Sequence, residues 1–252
     1  MGTSEEIFSG VTSLAISLSV QNPVLASVID KTLQPLLSSM IDELKGRVLG
    51  VRENKRICEV FNNALNKINL RLEKGDIPRQ DESFWVENTV DLSDAKSILE
   101  GVLLKARDEY EEKKLPYYSN LIAQMVFDTS WSYQRLNAMI RLFEQLSYRQ
   151  LQLMALALKN NEIETPQWDI KFKRTLNSYA YYDLFCEVNN LSNLALFHQS
   201  ETSLTMGLGD KQALSPIGKS MAELMELSSI PQNELDDLNK IIHLLNNEIL
   251  KM

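Results

Sequence analysis

Two histidines, His198 and His243, and two cysteines, Cys58 and Cys186, are the side chains best suited to acid–base, nucleophilic or ligand chemistry. A histidine does such work when thiols, carboxylates or a second imidazole converge on it at helical or loop spacing. Neither histidine has that company. No cysteine is near either one, and no Glu or Asp falls at the spacing that a zinc or di-iron helix site requires. His243 belongs to the polar flank of an amphipathic helical pattern, and His198 to a short edge-strand pattern. Both cysteines fall inside helical patterns and read as buried small hydrophobes in a reducing compartment. Gly207-Leu208-Gly209-Asp210 is not followed by Gly-Lys-Ser/Thr, so a hairpin turn accounts for its glycines better than a phosphate loop. With 34 acidic residues, adjacent carboxylates are common and select no catalytic pair. The chain therefore reads as a protein that is not an enzyme, with no cofactor and no metal.

Composition narrows the class further. A chain of 252 residues with 44% hydrophobic content can bury one large helical core or two small ones without disulfides. Its formal charge of −8 repels phosphate backbones and anionic lipid unless basic residues are concentrated in one place. The apolar run from Ile7 to Ile29 has Glu5 and Glu6 where a secretory leader carries Lys or Arg, and Pro23 interrupts it. It reads as neither leader nor membrane span. Its polar face is mostly serine rather than the Lys and Arg of an interfacial helix, so protein is the expected neighbour and lipid the weaker alternative. A cytoplasmic location is expected.

The elements that must position these residues are nearly all helical. The pattern runs helical from Val24, past Pro35, to Leu72, and stops at Lys74-Gly75-Asp76 with Pro78 beyond. Leu37, Met40, Leu44, Val51, Cys58, Phe61, Leu65, Ile68 and Leu72 recur at steps of three and four, with Arg47 and Asn54 on the same seam. Such a seam suits a coiled coil or an antiparallel bundle, the bundle being commoner in a single chain, and a bend is expected near Gly46 and Gly50. Phe84, Trp85 and Val86 are expected to pin the following loop to the core. Asp91-Leu92-Ser93-Asp94 starts the next helix, with Ala95, Ile98, Val102 and Ala106 as its stripe. Glu109, Glu111, Glu112, Lys113 and Lys114 read as a solvated mixed-charge face. Pro116 opens a helix carrying Tyr117, Leu121, Met125 and Val126, and Asp128-Thr129-Ser130 offers the cap for another carrying Trp131, Leu136, Met139, Ile140 and Phe143.

From Leu146 the order of signals changes. Ser147-Tyr148-Arg149-Gln150 is a capping-box pattern that starts a helix running to Lys159. Thr165-Pro166-Gln167-Trp168 makes a turn, and Phe172 to about Asn190 supplies one or two helices. Leu194 to His198 and Lys211 to Leu214 can then pair as a small wing. Ser215 caps a further helix with Pro216 in its first turn. After Pro231, Leu235, Leu238, Ile242, Leu245 and Ile249 line one strip of a final helix. The expected fold is mainly α: a helical bundle with a long coiled-coil-like helix and a winged-helix-like C-terminal module carrying a small β-hairpin. The expected divisions are 1–76, the N-terminal segment with the long helix; 77–145, a central helical region; 146–230, the winged-helix-like module; and 231–252, the closing amphipathic helix.

In a winged helix the third helix enters the major groove, and here it would span roughly Asp183 to Leu194, exposing Asp183, Glu187, Asn189, Asn190 and Asn193. It contains no Lys or Arg, the side chains that phosphate contact and guanine readout depend on. Lys171, Lys173 and Arg174 form the nearest basic cluster and are the residues that a nucleic-acid reading would use. Protein contact fits this module better.

Short runs carry one family resemblance. Asn22-Pro23-Val24, the segment Lys114 to Ala123, Leu146-Ser147, and Leu191 to Phe197 leading to Leu214-Ser215-Pro216-Ile217-Gly218 are similar, in that order, to the bacterial Abi-alpha helical proteins, a domain family of unknown function associated with abortive infection. The resemblance spans most of the chain through structural motifs. It implies a defence role against phage and no catalytic residues.

Taken together, the expected function is a non-enzymatic bacterial protein-interaction module, a sensor or partner in anti-phage defence. Its candidate interaction seam is Leu37, Met40, Leu44, Phe61, Leu65, Ile68, Leu72, Leu235, Leu238, Ile242, Leu245 and Ile249. The expected partner is another protein or a second copy of the chain. The alternatives are a winged-helix transcriptional regulator and a peripheral membrane protein held by the N-terminal apolar segment.

Overall fold

The computed structural model describes residues 50–86, 93–165, 179–201 and 210–250. The seam residues Leu37, Met40 and Leu44, the apolar run Ile7 to Ile29 and the basic cluster Lys171, Lys173 and Arg174 lie outside the described residues. The chain divides into two compact units, Met1–Gln145 and Leu146–Met252. Both are mainly helical, and the second adds a three-stranded antiparallel sheet.

The first unit holds α1 (Val51–Glu73), α2 (Glu82–Trp85), α3 (Asp94–Asp108), a 3₁₀ turn at Glu112–Lys114, α4 (Leu115–Phe127) and α5 (Tyr133–Glu144). Helix α4 is apolar on nearly every side, with Leu115, Tyr118, Leu121, Ile122, Met125 and Val126 all buried, as expected of a helix enclosed by others. It packs on α1 and α3, and α3 packs in turn on α1, α2 and α5. Phe61, Leu65, Ile68 and Leu72 of α1 face this core. Each fully buried Leu, Ile or Phe stabilises the fold by about 1.5–3 kcal/mol relative to its exposed state.

Local chemistry sets the helix ends. Gly75 takes φ +92, a left-handed conformation that glycine adopts without steric penalty. Its N–H donates to the Leu72 carbonyl at 3.0 Å and that of Asp76 to the Arg71 carbonyl at 3.0 Å, the paired bonds of a Schellman stop. Ser93 caps α3 by accepting the Lys96 N–H at 3.3 Å.

Four expectations are corrected in this unit. The helical pattern running from Val24 does not continue through Gly50, which is extended (φ −68, ψ 155) and caps α1, leaving the seam residue Val51 exposed. Phe84 is buried as expected, but it sits in the short helix α2, and Val86 points to solvent. The cap of α5 is Ser132, which accepts the Arg135 N–H; the Asp128 carboxylate instead accepts the Ser130 N–H at 2.8 Å and shapes the preceding turn. Trp131 is therefore buried ahead of the helix rather than on it. The mixed-charge run is only partly solvated, because Glu109 and Lys114 are buried while Glu112 and Lys113 are exposed.

The second unit runs α6 (Tyr148–Asn160), β1 (Ile163–Thr165), α7 (Tyr179–Asn193), β2 (Phe197–Glu201), β3 (Asp210–Leu214), α8 (Pro216–Leu224), a 3₁₀ turn at Leu227–Ser229 and α9 (Gln232–Leu250). Helix α6 is its hub and touches α7, α8, α9, β1 and β3. Strand order is β1-β3-β2, with Ile163 opposite Gln212, Phe197 opposite Leu214, and a bulge between Gln199 and Glu201. The hairpin of β2 and β3 follows the expected pairing. Two details differ. Residues Leu194 to Leu196, expected to begin the strand, instead close α7, and Thr165, expected in a turn, ends the unforeseen strand β1.

Candidate interaction surface

Helix α7 turns Leu184, Val188 and Leu191 inward, spaced by four and three residues, and leaves Tyr182, Asp183, Cys186, Asn189, Asn190 and Asn193 exposed. Its inner face meets α6 and β2. Two joints fix how it presents its outer face.

The first joint is the start of α6. The Ser147 N–H donates to the Gln150 side-chain oxygen at 2.9 Å and the Gln150 N–H to the Ser147 hydroxyl at 3.2 Å, so the capping box forms. The Ser147 hydroxyl also donates to the Glu187 carboxylate at 3.2 Å. Glu187 thus ties the middle of α7 to the first turn of α6 and is only half-exposed.

The second joint closes the other end. The Leu196 N–H donates to the Leu191 carbonyl at 2.9 Å and the Ala195 N–H to the Ser192 carbonyl at 2.9 Å, another Schellman stop with Ala195 at φ +57 in the place glycine usually fills. The Ser215 N–H then donates to the Leu196 carbonyl at 2.9 Å, and its hydroxyl donates to the Ala195 carbonyl at 2.6 Å while accepting the Gly218 N–H at 3.0 Å. A Cβ on Gly218 would stand 2.1 Å from the Leu196 carbonyl oxygen, closer than any such contact tolerates. The two short runs, Leu191 to Phe197 and Leu214 to Gly218, therefore form one joint between the end of α7 and the start of α8.

The outward strip offers one carboxylate, an aromatic ring, a thiol and three amides. Through its hydrogen bond, Cys186 lifts the Tyr182 hydroxyl above the usual tyrosine range. Cys186 itself is exposed, which corrects its expected burial; Cys58 is buried, and burial pushes its thiol up to about 11. His198 lies on the exposed edge strand β2 and His243 on the solvent side of α9. Among the described residues, no three His, Cys, Asp or Glu side chains cluster in a way that could hold a metal. No helix among them is long and apolar enough to cross a membrane.

The described side chains of the candidate interaction seam are buried in their own units, the arrangement of a bundle stripe. Phe61, Leu65, Ile68 and Leu72 are buried within the first unit. Leu235, Leu238, Ile242 and Leu245 are buried within the second, where α9 packs on α6; the Ile249 side chain lies outside the described ones. The described side chains of both strips are buried, so they offer no outward surface.

Two polar centres in the first unit were not singled out from the sequence. The Lys114 ammonium lies 2.6 Å from the Glu109 carboxylate and 5.2 Å from the centre of the Phe143 ring. The Tyr118 hydroxyl donates to the same carboxylate at 3.3 Å, and its ring meets Phe143 edge-on. Burial and the Glu109 charge hold that hydroxyl protonated. The signal was the core spacing around the charges, with Ala106 three residues before Glu109 and Tyr118 four after Lys114. In the second centre, the buried Arg79 guanidinium pairs with the Asp81 carboxylate, donates to the Trp131 carbonyl at 3.1 Å and stacks 3.6 Å from the centre of the Phe84 ring. Both centres fasten connections between helices.

Comparison of the chain with protein families, characterised proteins and solved structures returns no match.

Proposed function

We propose that the chain is a non-enzymatic protein-interaction module acting through a winged-helix-like second unit, with α7 in the place of a recognition helix. The observation that carries the reading is the outward face of α7: Tyr182, Asp183, Cys186, Asn189, Asn190 and Asn193, with no Lys or Arg anywhere in Tyr179–Asn193. The element order supports the comparison, since a helix, a strand, a second described helix and an antiparallel hairpin follow one another, with the first strand added to the hairpin. A duplex groove is lined with phosphate, and a face without cations gains nothing from counterion release. Amides beside an aromatic ring suit a protein surface, where adaptable hydrogen bonds and a rigid ring act together. The resemblance to Abi-alpha proteins supports a bacterial setting in phage defence.

A titration distinguishes this reading from a DNA-binding regulator. A 20-base-pair duplex labelled with a fluorophore at one end is titrated with the unlabelled protein at low salt. Unchanged anisotropy at micromolar protein is the expected result. Saturable binding that weakens steeply with salt and is lost in a Lys171→Ala, Lys173→Ala, Arg174→Ala variant would establish the regulator instead.

A further inference from the structure

No further inference is drawn: the strongest candidate, the outward strip of α7 formed by Tyr182, Cys186, Asn189 and Asn193, is an exposed helix face with a single neighbouring carboxylate at Asp183, and nothing in the structure shows what covers it.

Discussion

Within each unit, single residues stand at points where a small change has no room or no partner. Gly218 is one, because the carbonyl of Leu196 occupies the space a side chain would need. Gly218→Ala should cost about 1–3 kcal/mol or more, the usual penalty for overpacking against rigid backbone. Urea unfolding of the full chain checks this, and a loss below about 0.5 kcal/mol, within the range of an ordinary surface change, would contradict the joint. Lys114 and Glu109 are another such point, each with under a tenth of its side chain exposed. Lys114→Met alone leaves a buried carboxylate without its counter-charge and should destabilise by about 3–5 kcal/mol. Adding Glu109→Leu should restore most of that loss. A double variant no more stable than the single one would show that the site depends on shape rather than on charge pairing.

Several elements were legible from a local signal that marks an end. Ser147 with Gln150, Ser93, Gly75 ahead of Pro78, and Ser215 with Pro216 all stand where their chemistry predicts, because a cap is satisfied by residues within one turn of itself. Strand β1 had no such mark. Its three residues are strand only because β3, 49 positions later by the Ile163–Gln212 pairing, supplies the hydrogen bonds. Asp128 and Ser132 are both good caps four residues apart, and tertiary packing of Trp131 decides between them. Asp183, Asn189, Asn190 and Asn193 were readable as outward from the 3.6-residue period of α7, whereas Glu187, expected among them, is half-buried against Ser147 and Cys186 was assigned to the wrong side of the same helix.

The connection carrying α2 also predicts a pH response. The Arg79 guanidinium beside Asp81 holds that carboxyl below the usual carboxylate range. A folded value below the unfolded one stabilises above the unfolded value of about 3.9, and the contribution disappears as pH falls through the folded value. Thermal unfolding from pH 6 to pH 2.5 should show wild type above Asp81→Asn at pH 6, with the gap narrowing below about pH 4. A gap constant across that range would contradict an ionic role for Asp81.

At the scale of the whole molecule, the described part of the long seam starts after extended Gly50, and its Phe61, Leu65, Ile68 and Leu72 are buried in the first unit, while the described side chains of the α9 strip are buried in the second. Periodicity alone could not separate these outcomes, since a stripe of Leu, Ile and Phe suits a partner chain and a covering helix equally. Among the described residues, the second unit leaves the amide-rich face of α7 outward. Contact with another protein through that face is the central claim, and crosslinking in living cells tests it most directly. Full-length protein carrying a photoreactive phenylalanine in place of Asn190 is expressed in a bacterial cell, irradiated and purified under denaturing conditions. A crosslinked species removed by protease and untouched by nuclease is predicted. A nuclease-sensitive species, or none at all, would contradict the claim.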